Sequence, residues 1–158
     1  MQLMLLIRPI QPSDKPLLVA GLRALSPDSA MKRFLSPKVS FSASELRYLT
    51  EVDQHDHIAY VVLDGPQLVA VACCVRTGPE VADVAIVVGD PWQGRGLGRR
   101  LLRLLATRAA EEGITRFAGT MLADNRRALR LMRGFELPLE RDEISHGVRE
   151  VVAQLAAA

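Results

Sequence analysis

The sequence predicts an α/β chain of the α+β kind, with six to seven strands in one mixed sheet flanked by helices. Three observations lead there. Apolar runs at 58–63, 67–76 and 81–88 are separated only by turn residues, so three strands follow one another with no helix between them. Leu97, Leu101, Leu104, Leu105 and Ala109 then recur at the three-to-four residue spacing of a helix. A single strand candidate, a second helix and two late strands complete the order, which a regularly alternating parallel sheet would not accommodate.

In chain order, Leu3 to Arg8 reads as a first strand. Ser13 caps a helix running to about Leu25, with Pro16 tolerated in its first turn. Ser26-Pro27-Asp28 restarts a short helix to Phe34, and Pro37 ends that region. Ser42 with Glu45 forms a capping box ahead of a helix over 44–52. Ile58–Leu63 and Gln67–Arg76 form a hairpin around Asp64-Gly65-Pro66, and Val81–Val88 is the next strand. Gly113 stops the long helix. Thr115–Met121 is a strand, Asp124 or Asn125 starts a helix ending near Gly134, and Phe135–Glu140 and Val148–Leu155 form a late hairpin. Ala156 to Ala158 is read as frayed.

The 158 residues suit one domain, 1–158, and with 49% hydrophobic residues they can form a packed core. Aromatics are scarce, so Leu, Val, Ala and Ile must build it. A net charge of +2 excludes a general nucleic-acid binder. The charge is uneven, however. Residues 95–133 hold ten arginines against Glu111, Glu112 and Asp124, which suits either an anionic ligand or a solvated basic helix face. Cys73 and Cys74 are adjacent on a strand, point to opposite faces and cannot form a disulfide framework. Reduced cysteines and no signal peptide or membrane-length segment predict a cytoplasmic protein with no membrane partner. His55 and His57 lack further ligands and read as surface residues, so no metal is expected.

The chemistry centres on Val87-Val88-Gly89-Asp90-Pro91-Trp92-Gln93-Gly94-Arg95-Gly96-Leu97-Gly98-Arg99-Arg100, between a strand and a helix. Glycines 94, 96 and 98 carry no Cβ, so backbone N–H groups can converge on one anion. The start of the helix adds its positive end. Together these are suited to a pyrophosphate. The ATP-type loop is excluded, because Gly-Lys-Ser/Thr is missing. The dinucleotide fingerprint is also excluded, since the spacing is Gly-x-Gly-x-Gly and falls after four strands. Taken alone, a glycine-rich turn could still be just a tight connection, with Trp92 anchoring it to the core.

Gln93-x-x-Gly96-x-Gly98 after a strand resembles the acyl-CoA signature of the GNAT superfamily of N-acetyltransferases, and the element order resembles it over nearly the whole chain. The resemblance implies a mostly antiparallel sheet splayed between its fourth and fifth strands, with acetyl-CoA as cosubstrate in the gap. It assigns Gln93 and the backbone of Gly94, Arg95, Gly96, Leu97, Gly98 and Arg99 to the pyrophosphate, and Asn125 to the pantetheine arm. It assigns Val88, with Val87, to a late bulge whose N–H meets the thioester oxygen. Arg8-Pro9, Leu25-Ser26-Pro27-x-Ser29, Arg33-Phe34, Glu45-Leu46 and 84–88 look like bacterial protein lysine acetyltransferases, including those that modify acyl-CoA synthetases. In that family the catalytic domain is often fused to a regulatory one, and 158 residues leave no room for it.

Freeing a lysine amine at neutral pH costs roughly 5 kcal/mol, from a reference pKa of about 10.4. A carboxylate or an ordered water must therefore take the proton. The lysine acetyltransferases place a Glu five residues before the position matching Val88. Asp83 stands there, with Glu80 as backup and an outward-facing polar residue as the alternative. Met132 occupies the place where many relatives carry a general-acid Tyr, and the segment to Gly134 is two residues shorter than the usual pattern. The expected function is acetyl transfer from acetyl-CoA to an amine by direct attack. The favoured acceptor is a protein lysine, an acyl-CoA synthetase being one candidate substrate, and the chain is expected as a monomer or homodimer. The rival readings are a small-amine or amino-acid N-acetyltransferase and a weakly catalytic acyl-CoA-binding module.

Overall fold

The computed structural model describes residues 4–135 and 138–155. One sheet of seven strands runs in the order β1-β2-β3-β4-β5-β7-β6. The strands are β1 (Leu6–Pro9), β2 (His57–Asp64), β3 (Gln67–Arg76), β4 (Val81–Val88), β5 (Arg116–Leu122), β6 (Leu139–Ser145) and β7 (Val148–Gln154). Five helices pack on it: α1 (Lys15–Ala24), α2 (Pro27–Phe34), α3 (Ala43–Thr50), α4 (Leu97–Glu111) and α5 (Arg126–Arg133). Every strand pair is antiparallel except β4–β5.

Strand alternation divides the core between two faces. Ile58, Val62, Ala72, Cys74 and Ala82 face α4 and α5, where they meet Leu101, Leu105, Phe117 and Met132. Ala59, Val61, Cys73 and Ala85 face α1 and α3 with Leu18, Leu46 and Leu49. The adjacent cysteines thus join opposite clusters. Burial on both faces explains why β2 to β4 read as nearly continuous apolar runs.

Several boundaries differ from expectation. Ser13 caps nothing. It lies in a 3-10 turn, Pro12–Asp14, that leads into α1, and Asp14 is the residue that organises this corner. Arg8 donates to the Asp14 carboxylate through both terminal nitrogens, at 2.8 and 2.7 Å, and the Gln11 N–H donates at 2.8 Å. The late strand expected at Phe135–Glu140 is instead Leu139–Ser145: Phe135 sits in a turn, and 136–137 lie outside the described residues. The hairpin turns at His146 and Gly147, both at positive φ, the tight geometry of a two-residue hairpin. Its Glu-Arg-Asp-Glu run disguised β6, an exposed edge strand whose charges protect it from edge pairing. Residues 1–3 and 156–158, including Leu3 and the terminal alanines, also lie outside the described residues.

Asp14 is 2% exposed. The hydrogen bonds from Arg8 hold its carboxyl below the usual value. Burial opposes this, and the Gln11 N–H adds to it. A depressed carboxyl pKa stabilises the fold above the ordinary carboxylate range, and that stability is lost as pH falls through the folded value. Asp14→Ala is expected to cost about 2–4 kcal/mol, because it strands Arg8 and frees the Gln11 N–H. Urea unfolding at neutral pH measures it, and the deficit should narrow in acid. A neutral-pH loss within experimental error would refute the role.

Candidate active site

Beyond the foot of the sheet, β4 and β5 separate. They pair only over Val81–Asp83 with Arg116–Ala118, although β4 continues to Val88 and β5 to Leu122. A cleft of about 720 Å³ fills the gap. Both alternating sets of β4 side chains line it, Val84 and Ile86 from one face and Ala85 and Val87 from the other, as do Gly119 and Thr120 of β5. Only an opening through the sheet exposes both faces of a strand in this way.

The glycine loop stands at the head of the cleft. Gly94 and Gly96 take left-handed backbone, at φ 77° and 80°. Gly96 is the N-cap of α4, with no side chain capping the helix. The first helical bond is from Arg100 N–H to Gly96 O at 3.1 Å, so the N–H groups of Leu97, Gly98 and Arg99 precede the helical ladder. A Cβ at Gly96 would meet nothing within 4 Å, and one at Gly94 would find only an Arg127 nitrogen at 3.9 Å. The bend is open and rich in donors, which fits a pyrophosphate. Gly94, Leu97, Gly98 and Arg99 line the cleft with Gly96, whereas Arg95 is exposed outside the lining. Trp92 packs against the core beneath.

Gln93 has its amide committed elsewhere. Its Nε2 donates to Val88 O at 2.9 Å and to Ser29 Oγ at 3.0 Å, while its Oε1 accepts from Arg127 at 3.2 Å. Asp90 extends this network, accepting from Ser26 N–H (3.0 Å), Ser26 Oγ (2.8 Å) and Ser29 Oγ (2.9 Å). Burial draws the Asp90 carboxyl upward, but these donors outweigh it and hold it below its ordinary value. The side chain of Gln93 therefore ties the end of β4 to α2 and α5.

Late in β4 the register with β3 is unbroken, from Ala70↔Val88 to Arg76↔Ala82, so the bulge implied by the resemblance is absent. Donors still face the gap. Gly89 N–H bonds Val69 O at 2.7 Å, and alternation turns Val87 toward β3 and the N–H groups of Ile86 and Val88 toward β5. Pairing with β5 has already ended at Asp83, so strand parity alone aims these amides into the cleft. Ile86 is a residue that sequence reading missed, although the same alternation could have revealed it.

Asp83 occupies the vertex of the split, as the last β4 residue in register with β5. Its side chain alternates onto the face away from α4 and is exposed just outside the cleft lining. Desolvation raises its pKa, and the Glu150 carboxylate adds to the rise. Glu80 is drawn away. Its carboxylate lies 3.5 Å from Arg116 at the closed end, where its carbonyl accepts from Thr115 and Arg116. Asn125 lines the cleft and caps α5, its Oδ1 accepting from Ala128 N–H at 3.2 Å. Met132 lines the cleft as an apolar wall.

Two groups around the opening have no assigned role in the sequence-based expectation. Arg127 and Arg130 of α5 join Arg99 along the rim, and none of the three pairs with a carboxylate among the described residues. Ser29, Lys32 and Arg33 of α2 line the opposite side. The Asn125-Arg126-Arg127 run carried a signal for the first group. Nothing in the α2 sequence placed it over the gap. His57 is also a correction. Its ring packs 5.0 Å from Tyr48 and buries an unpartnered Nε2, so it is half-buried and not freely exposed, while Tyr48 itself is largely exposed. His55 does face solvent and meets Glu112 at 3.0 Å. No described helix is long and apolar enough to cross a membrane.

A sheet split beside a parallel pair, headed by an open glycine bend, defines an acyl-CoA-dependent N-acetyltransferase class with acetyl-CoA as the fitting cosubstrate. The chain belongs to the acetyltransferase (GNAT) family, whose model matches residues 28–135. It is 35% identical over 130 residues to acetyltransferase Pat of Mycolicibacterium smegmatis, covering 80% of this chain and 39% of that protein. The chain thus spans about two fifths of that curated relative's length. The GNAT domain of S. lividans PAT superposes with a TM-score of 0.86 at 28% identity, over 94% of this chain and 89% of that one. YncA of Salmonella typhimurium, solved with its cofactor acetyl-CoA, shares the fold, with a TM-score of 0.73 at 15% identity over 98% and 95% of the chains.

Proposed function

We propose that this chain moves an acetyl group from acetyl-CoA to the side-chain amine of a protein lysine. The observation that carries the transfer is the cleft through the sheet. Its α4 face offers an open, donor-rich bend, and its other face offers a carboxylate at the vertex. The resemblance of Arg8-Pro9, Leu25-Ser26-Pro27-x-Ser29, Arg33-Phe34 and Glu45-Leu46 to protein lysine acetyltransferases favours a protein lysine over a free amine.

Acetyl-CoA held there supplies the activated acyl group. The amides of Gly94 to Arg99 and the rim guanidinium groups of Arg99 and Arg127 hold its phosphates. Asn125 reaches the pantetheine arm from the start of α5. The N–H groups of Val88 and Ile86 donate toward the thioester oxygen, fixed before the reaction and therefore without reorganisation cost. Asp83 takes the ammonium proton, directly or through one water. Its raised pKa makes it a stronger base than an ordinary aspartate. The departing thiolate needs little acid assistance, consistent with Met132 in place of a Tyr.

The test is thiol release from acetyl-CoA with lysine-bearing proteins, including an acyl-CoA synthetase, against small amines. Release with protein acceptors, and acetyl-lysine found by mass spectrometry, is the expected result. Acetylation of free amines alone would end the lysine reading. Cofactor binding with no thiol released above background would end the transferase reading.

A further inference from the structure

Helix α2 brings two cations to the cleft from the face opposite α4, and they differ in what they touch. Lys32 pairs with Asp28 at 2.9 Å. Arg33 meets no carboxylate among the described residues. Its guanidinium lies 4.8 Å from the centre of the Phe34 ring. It also lies near the buried Cys73 thiol, whose pKa burial pushes up and the Arg33 charge partly restrains. Cys73 stands opposite Ala85 in the β3–β4 register, and both belong to the cluster on the α1 and α3 face. Ala85 and Arg33 both line the cleft. The guanidinium is therefore held at the cleft wall, beside β4 and across the sheet from the glycine bend.

A partly buried guanidinium has lost hydration, and neither a ring face nor a neutral thiol replaces a carboxylate as its partner. Its fork is shaped for two parallel bonds to a planar anion. Asp83 lies on the same face, two residues before Ala85, which is roughly 7 Å along the strand. The face thus presents a carboxylate where the amine must lose its proton and a guanidinium a short distance further up the cleft.

We infer that Arg33 is a specificity-determining residue that receives a carboxylate carried by the acceptor close to its reacting amine. The inference rests on the transfer reading and narrows its acceptor class. The carboxylate can belong to a free amino acid or to an acidic residue beside the target lysine in a peptide. Both present the same chemistry to Arg33.

The experiment compares matched acceptors on the whole chain. One arm uses lysine peptides with a neighbouring glutamate or glutamine. The other uses an amino acid and its decarboxylated amine. Wild type should favour the carboxylate-bearing member of a pair by roughly tenfold or more in kcat/KM. Arg33→Gln should bring that ratio to within about twofold, with the loss in acceptor KM and the acetyl-CoA KM little changed. Arg33→Lys keeps the charge without the fork and should retain an intermediate preference, which decides the matter if the Gln variant melts early. The arm showing the preference identifies the source of the carboxylate. Equal rates within both pairs for wild type overturn the inference and leave the transfer reading intact. A raised acetyl-CoA KM with the preference unaltered overturns it in favour of a cofactor role. If acetyl-CoA binds and no acceptor releases thiol, the transfer reading itself falls.

Discussion

Gly96→Glu is expected to weaken acetyl-CoA binding by roughly 100-fold or more, measured by titration calorimetry, with the fold retained. Three effects combine. The residue sits at φ 80°, where an L side chain costs about 1–2 kcal/mol. The new side chain projects into open space, because nothing lies within 4 Å of a Cβ there, so the protein need not repack. That open space is where the diphosphate would sit, and the glutamate places a negative charge against the N–H groups of Leu97 to Arg99. Gly96→Ala separates these contributions. It brings the backbone strain without the charge, so it should cost stability and only a few-fold in affinity. If Gly96→Glu bound acetyl-CoA like the wild type, the bend would be a connection and no cradle.

Gln93→Ala bears on a different part of the loop. Its amide holds Val88 O, Ser29 and Arg127 together, so its loss should loosen α2 and α5 against the end of β4. The thermal midpoint should fall, and the acetyl-CoA KM should rise by about tenfold or less, because the backbone donors remain. Loss of affinity as severe as that of Gly96→Glu would make the Gln93 side chain a direct ligand.

The parts of this fold that were legible in the sequence are those where local chemistry and tertiary position agree. The hairpin at Gly65, the long helix after Gly96 and the capping box of Ser42 and Glu45 all appear close to where they were expected. Strand β6 escapes the hydrophobic pattern because an exposed edge strand of mixed charges carries no apolar period, and its signal lies in the His146-Gly147 turn. Local propensity favours Ser13 as the cap of α1, because serine is a good local cap. The long-range partner Arg8, which makes Asp14 the organising residue, is invisible to propensity. At the candidate site, the glycine bend was readable from spacing alone. The placement of α2 across the gap was not, since it depends on Asp90 reaching back 64 residues to Ser26. For the same reason Arg33 read only as part of a motif, and its position at the cleft wall required the fold.

Asp83→Asn should lower kcat by about 10²- to 10⁴-fold, the usual range for losing a general base, while acetyl-CoA affinity stays nearly wild type. The substitution keeps the size of the side chain at the vertex and removes its ability to take a proton. The pH profile tests the assignment more sharply than the rate. Desolvation and Glu150 both favour the protonated acid, so the acid limb of kcat/KM should lie at higher pH than an ordinary aspartate would give. The reaction needs the ionised form, so the rate should rise with pH through that limb. Glu150→Gln removes the neighbouring negative charge, which should move the limb to lower pH and leave its shape intact. Glu150 pairs in register with Thr120 of β5, which lines the cleft, so the two carboxylates share the face from which the amine arrives. Asp83→Glu should recover much of the activity, because an extra methylene shortens the path that a bridging water otherwise fills. A normal rate for Asp83→Asn across the pH range, or an acid limb unmoved by Glu150→Gln, would remove this pair from the proton path and leave deprotonation to bulk water.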